Sequence, residues 1–288
     1  MAVVIPSMQT LLEAGVHFGH QVRRGYPKMR DYIFGAREGI HIINLEYSEK
    51  MLREAAEYVN GLGKTGKVIL FVGTKKQAQP IIKEAAGKSG APFISYRWVA
   101  GLLTNLNEVR KNINKLSDLK EKQAKGELSH YTKKEQLLIA RKLEKFDLEY
   151  GGVVKMTELP DAVFLADAVG EKIALAECIR EHIPVVAIAD TNSNPQLIDF
   201  PIPGNDDATK SLKILIGTIG DAYAEGIKLS QGKKETPGEE KNGTETVPAE
   251  AVADSAIAEQ VAEVEEEVEK KEVEELNREE RVGDAEEK

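Results

Sequence analysis

Three uninterrupted apolar runs, at residues 68–72, 162–166 and 185–189, constrain this chain more than any other feature. A strand with one face in water alternates apolar and polar residues, so an unbroken run belongs to a strand covered on both faces. Such strands are typical of parallel sheets, whose crossover connections lay helices against the sheet. Weaker strand candidates are 40–43, 93–96 and 198–202, the last punctuated by Pro201 and Pro203. Helical patterns fall between them at 48–60, 75–87, 171–181 and 206–227, with Ser48 placed to cap the first. The expected fold class is therefore α/β, a three-layer parallel sheet of Rossmann-like or flavodoxin-like type, made from residues 1–103 and 151–230.

Residues 104–150 break that rhythm. Leu106, Val109, Ile113, Leu116 and Leu119, then Ile139, Leu143, Phe146 and Tyr150, recur at helical spacing. Two amphipathic helices with a break around 126–129 form an antiparallel hairpin inserted in the α/β domain. Its polar face is basic, with 11 Lys/Arg against 6 Asp/Glu over 105–146. Such a face is either a solvated coiled-coil surface or a binding surface, and spacing does not decide between them.

The formal net charge of −9 argues superficially against a nucleic-acid partner. The acidity is confined to the tail: residues 231–288 carry 8 Lys/Arg and 20 Asp/Glu, which leaves residues 1–230 at +3. Local basic patches in the body thus remain free to meet RNA. The tail lacks aromatic residues and is poor in large apolar groups, so it is expected to be a disordered acidic segment. The single cysteine, Cys178, permits no internal disulfide, and no apolar run approaches a membrane span. A soluble cytoplasmic protein is expected.

Several motifs invite a chemical reading. The glycine-rich stretch 61–67 contains Gly63-Lys64-Thr65, but a phosphate loop wants glycine where Tyr58 stands, and a strand before the loop, where a helix is expected. Gly73-Thr74-Lys75-Lys76 follows a buried strand and opens a helix, the position at which backbone N–H groups receive anions. Lys75 and Lys76 are accordingly candidates for RNA phosphates. His17 and His20, three apart, can meet on one helical turn and reach Asp190, Asp206 or Asp207, but no third ligand is assured and no metal or other cofactor is assigned. Arg23, Arg24, Lys28 and Arg30 are the densest basic cluster of the body, with Tyr26 and Pro27 among them, a mixture suited to phosphate pairing and base stacking. Tyr96-Arg97-Trp98 repeats that mixture, with Trp98 as core packing beneath an RNA-facing Arg97. Asp190-Thr191-Asn192 stands where enzymes carry catalytic carboxylates, but no nucleophile elbow or glycine fingerprint accompanies it.

The block Leu11-Leu12-Glu13-Ala14-Gly15-Val16-His17-Phe18-Gly19-His20-Gln21, with Pro27-Lys28-Met29 and Gly39-Ile40-His41-Ile42-Ile43-Asn44-Leu45, closely resembles the opening of the bacterial small-subunit ribosomal protein S-two family. Phe71-Val72-Gly73-Thr74-Lys75-Lys76-Gln77-Ala78 resembles the same family, as does Arg97-Trp98-Val99-Ala100-Gly101-Leu102-Leu103-Thr104-Asn105. So do Asp190-Thr191-Asn192 and Ile202-Pro203-Gly204-Asn205-Asp206-Asp207-Ala208. The family commonly has Arg-Trp-Asn-Pro-Lys-Met where this chain has Arg24-Gly25-Tyr26-Pro27-Lys28-Met29, and two glycines where it has Ala100-Gly101.

The resemblance implies a structural, non-enzymatic component of the small ribosomal subunit with a projecting coiled-coil hairpin at 104–150. Its implied partners are small-subunit rRNA near the head–body junction, neighbouring ribosomal proteins and the mRNA-binding ribosomal protein S-one. By residue type, Arg23, Arg24, Lys28, Arg30, Lys75, Lys76 and Arg97 are the candidates for RNA phosphates. Arg110, Lys111 and Lys115 on the hairpin are candidates for RNA or protein. The competing expectation is a cytoplasmic α/β enzyme with Thr74, Lys75 and Asp190 around a phosphorylated small molecule.

Overall fold

The computed structural model describes residues 4–125 and 133–234. The chain begins with a short helix α1 (Met8–Glu13) capped by the Ser7 hydroxyl. A small antiparallel sheet follows, built from β1 (Phe18–Gln21), β2 (Ile33–Arg37) and β3 (Ile40–Ile43) in the order β1-β3-β2. The run at 40–43 is thus a strand, but it belongs to this separate sheet and not to the parallel one. Its alternation with one exposed face explains the difference: Ile43 is buried while Ile40 is exposed.

Helix α2 (Leu45–Thr65) begins earlier than expected. Asn44, not Ser48, is its cap, and the Asn44 side chain accepts the Glu46 N–H at 3.0 Å. Ser48 lies buried one turn in, its hydroxyl donating back to the Asn44 carbonyl. Gly61 and Gly63 lie inside the helix, which stops at Gly66 in the left-handed region at φ 75°. Gly63 stays helical because α2 crosses the last helix, α7 (Thr209–Lys234), at close quarters. A Cβ on Gly63 would lie 2.7 Å from the Tyr223 carbonyl and 2.9 Å from the Ile227 nitrogen.

The main sheet consists of β4 (Ile69–Val72), β5 (Phe93–Ile94), β6 (Ala162–Leu165), β7 (Val185–Ala189) and β8 (Phe200–Pro203). All neighbouring pairs are parallel, in the order β5-β4-β6-β7-β8. Counted within the sheet this is the order 2-1-3-4-5 of flavodoxin-type doubly wound folds, whose switch point lies between the first and third strands. Here that point falls between β4 and β6. β5 is shorter than the expected 93–96. β8 contains both prolines, which an edge strand tolerates because one row of its N–H groups has no ladder partner.

Period-two alternation along the strands divides the core into two layers. Ile69, Phe71, Ala162, Phe164, Val186 and Ile188 pack with α2, α7 and α3 (Gln79–Ser89). Leu70, Val72, Val163, Leu165, Val185 and Ala187 face the other layer, which contains α6 (Lys172–Arg180) and the inner residues of α4 (Leu106–Ala124) and α5 (Lys133–Tyr150). Val109, Ile113 and Leu116 of α4 and Leu143 and Tyr150 of α5 are buried there. An ion pair between Lys120 and Asp147 links the two helices further out. The expected break at 126–129 lies outside the described residues, as does the acidic tail beyond Lys234, where α7 ends.

Gly63→Ala is expected to lower stability by about 1–3 kcal/mol, because the added methyl meets backbone and not a movable side chain. Gly61→Ala, in the same helix but facing open space, is expected to raise stability by about 0.5–1 kcal/mol. Urea unfolding of the full chain checks both. Equal effects of the two substitutions would contradict the close helix crossing.

Candidate nucleic-acid interface

The carboxyl edge of the parallel sheet, where such folds place ligands, is occupied by the protein's own side chains. At the switch point the Thr74 backbone N–H and hydroxyl both donate to one oxygen of Glu171, each at 2.7 Å. A carboxylate therefore sits where a phosphate would be received. The turn also does not open directly into α3, which begins only at Gln79 with Ala78 at its cap and no side-chain cap bond. Burial raises the Glu171 pKa, and the Thr74 donors counter that shift.

Lys75 reaches across the same edge. Its Nζ lies 2.7 Å from Asp207, 3.0 Å from Asp206 and 3.3 Å from Asp167. Burial disfavours its charge, yet the carboxylates of Asp207, Asp206 and Asp167 outweigh that and hold its pKa well above the ordinary lysine value. Asp206 has the opposite balance. Burial, together with Asp167 and Asp190 nearby, pushes its carboxyl up to about 7 in spite of Lys75. Asp167 is also penalised by burial, but the Gly170 and Val169 N–H groups and Lys75 leave its pKa lowered.

His17 and His20 do not share a helical turn. His17 lies in the turn before β1, with a buried Nδ1 that has no hydrogen-bond partner, and His20 lies on β1 itself. His20 Nδ1 is 3.1 Å from Asp190, and its Nε2 is 3.7 Å from Asp207. The Asp190 bond raises its pKa against the effect of burial, with Asp206 and Asp207 adding to the rise. One donor atom each of His20, Asp190 and Asp206 lies within 4.8 Å of the others, a spacing that a metal ion could bridge, and His17 is not part of this group. Asp190 also accepts the Thr191 N–H and hydroxyl, which commits it to the turn after β7. With Thr74, Lys75 and Asp190 all engaged internally, the arrangement expected for a phosphate-handling enzyme is absent. Four ionisable carboxyls around two basic groups would also repel a phosphorylated substrate.

The basic cluster lies elsewhere. Arg23 and Arg24 sit on one tight turn (Val22–Arg24), and Lys28 and Arg30 on a second (Pro27–Tyr32). All four are exposed. Met29, between Lys28 and Arg30, is fully buried and turns its two neighbours outward. The Tyr26 N–H donates to the Thr191 carbonyl at 2.7 Å, which ties this loop to the turn after β7. The Tyr26 ring is half-buried against the core, so it packs where an exposed stacking partner was envisaged. Lys76, Arg97, Lys111 and Lys115 are exposed, Arg110 is partly buried, and Lys111 pairs with Glu108. Arg97 follows β5 beside the buried Trp98.

Two buried acids that organise N–H groups escaped the sequence reading. Glu171 and Glu177 look like ordinary surface acids of a short helix, yet both are buried. The available signal for Glu177 was its place among Ala174, Leu175 and Cys178 on an apolar helix face. Cys178 is buried as expected, and burial pushes its thiol pKa well up. Among the described residues no helix is long and apolar enough to cross a membrane.

Comparison with known proteins identifies a family. The family described as Ribosomal protein S2 matches residues 11–226. The small ribosomal subunit protein uS2 of Helicobacter hepaticus is 42% identical over 261 residues, covering 91% of this chain and 99% of that relative. The protein of the same name from Wolinella succinogenes is 47% identical over 224 residues, covering 78% of this chain and 83% of its own length. That from Helicobacter acinonychis is 46% identical over 225 residues, 78% of this chain and 92% of the relative.

The clasp around Lys75 has a pH signature. The Asp206 carboxyl moves from 3.8 to about 7 on folding, so the folded state holds a proton that the unfolded state releases across that interval. Its contribution to stability therefore falls as pH rises through the window, and Lys75 limits the fall. Lys75→Met is expected to cost about 1–3 kcal/mol near pH 7.5 and less near pH 5, where Asp206 carries its proton. Urea unfolding at both pH values checks this, and a cost independent of pH would contradict it.

Proposed function

The chain belongs to the ribosomal protein S2 family, and we propose that it serves translation as a structural constituent of the small ribosomal subunit and not as an enzyme. In this reading it binds small-subunit rRNA near the head–body junction and helps dock the mRNA-binding ribosomal protein S-one. Helices α4 and α5 act as the projecting coiled-coil hairpin. The cytoplasm is its place of work.

The observation that carries the RNA-binding part is the loop 22–30. It presents four exposed cationic side chains on two turns, fixed by buried Met29 and by the Tyr26–Thr191 hydrogen bond. A basic loop pre-ordered in this way meets phosphates without first losing loop entropy. Lys76, Arg97, Arg110, Lys111 and Lys115 extend the proposed surface. Lys75 takes part by shaping the edge, since its ammonium faces three carboxylates. The acidic sheet edge and the basic loop give the body separate regions of opposite sign, which favours one orientation on a polyanion.

The variant with Arg23, Arg24 and Lys28 all replaced by alanine is expected to lose association with small subunits at moderate salt. Its log affinity against log salt should flatten by roughly 2–3 units, at about 0.7–0.9 for each phosphate contact removed. Binding of wild type and variant to subunits lacking this protein, titrated across salt concentrations, measures both effects. An unchanged affinity and slope would remove this loop from the interface.

A further inference from the structure

Helix α6 places one carboxylate, Glu177, beneath the irregular connection between β5 and α4. The side chain is 8% exposed and receives four N–H groups from that connection. Its Oε1 accepts the Trp98 indole N–H and the Gly101 amide, both at 2.8 Å. Its Oε2 accepts the amides of Leu103 at 2.9 Å and Thr104 at 3.3 Å. These partners are neutral dipoles, and together they surround the carboxylate from the connection side.

We propose that Glu177 is a positioning residue that sets the direction in which α4 and α5 leave the α/β body. The buried Trp98, Leu102 and Leu103 show which side of the connection faces inward. Apolar burial is non-directional, however, and does not fix the angle at which the chain departs. Four directional bonds to one rigid helix do fix it. Gly101 at φ 86° provides the turn, and the Asn105 N–H closes back on the Gly101 carbonyl immediately before α4. The lever is long: α4 has 19 residues and so extends about 28 Å, and a 10° change at its base moves its far end by roughly 5 Å. A carboxylate is the group this task requires. Glutamine has the same shape, but its amide nitrogen would face two N–H donors whichever way it turned.

The test uses the full chain with spin labels at Lys134→Cys on α5 and Lys50→Cys on α2, compared with and without Glu177→Gln. The expected result is a broadened or displaced distance distribution. Amide exchange at Gly101, Leu103 and Thr104 should rise at least about tenfold while the central strands stay protected. A lowered unfolding midpoint with an unchanged distance distribution would reduce Glu177 to a stabilising residue and overturn the proposal, and Glu177→Asp, which keeps the carboxylate, should recover part of the wild-type distribution. The positioning role does not rest on the ribosomal reading. A shifted distance in a protein whose wild type ignores small subunits would refute that reading and leave the positioning role standing.

Discussion

The ammonium of Lys75 closes the carboxyl edge of the parallel sheet. From its place after β4 it draws together Asp167 after β6 and Asp206 and Asp207 after β8. Partial burial makes each attraction stronger than it would be in water. His20 extends the cluster to Asp190, and so ties the small antiparallel sheet to the turn after β7. Glu171 fills the anion position at Thr74. A doubly wound fold normally offers this edge to a ligand, and here it serves as an internal joint. The joint fixes the turns that follow β4, β6 and β8 relative to one another.

The net acidity of the chain lies in residues 231–288, and the body has its charges in two regions. The carboxylates of the edge are neutralised in part by Lys75 and His20, with Asp167, Asp190 and Asp206 buried and Asp207 exposed. The exposed arginines and lysines at residues 23–30 have the buried Met29 as their anchor and the Thr191 carbonyl as their tether. The two regions are mechanically connected, because the turn that receives Tyr26 also presents Asp190 to His20. Glu177 is a second buried acid on which N–H groups converge, those of Trp98, Gly101, Leu103 and Thr104.

The central strands were legible because burial on both faces leaves an unbroken apolar run, as 68–72, 162–166 and 185–189 show. The helices at 106–124 and 133–150 were legible by their periodicity. Of the small sheet only β3 was legible, as the run at 40–43: β1 reads Phe-Gly-His-Gln, with no period-two alternation of apolar and polar residues, and its pairing to β3 is non-local. The cap of α2 was misplaced because Asn44 and Ser48 are both good caps, and only the buried environment of Ser48 decides between them. The basic loop could be seen in composition. The engagement of Lys75 could not, since its three carboxylates lie at least 92 positions away in the chain. Motif order linked Gly73-Thr74-Lys75 and Asp206-Asp207 to the same family, but only the fold revealed that they bind each other.

The most direct test of the ribosomal role is sedimentation of a cell lysate through a sucrose gradient at moderate salt, with this chain followed across the fractions. The expected result is co-migration with small subunits and whole ribosomes that survives a moderate salt wash. Recovery of the chain only at the top of the gradient would contradict the account.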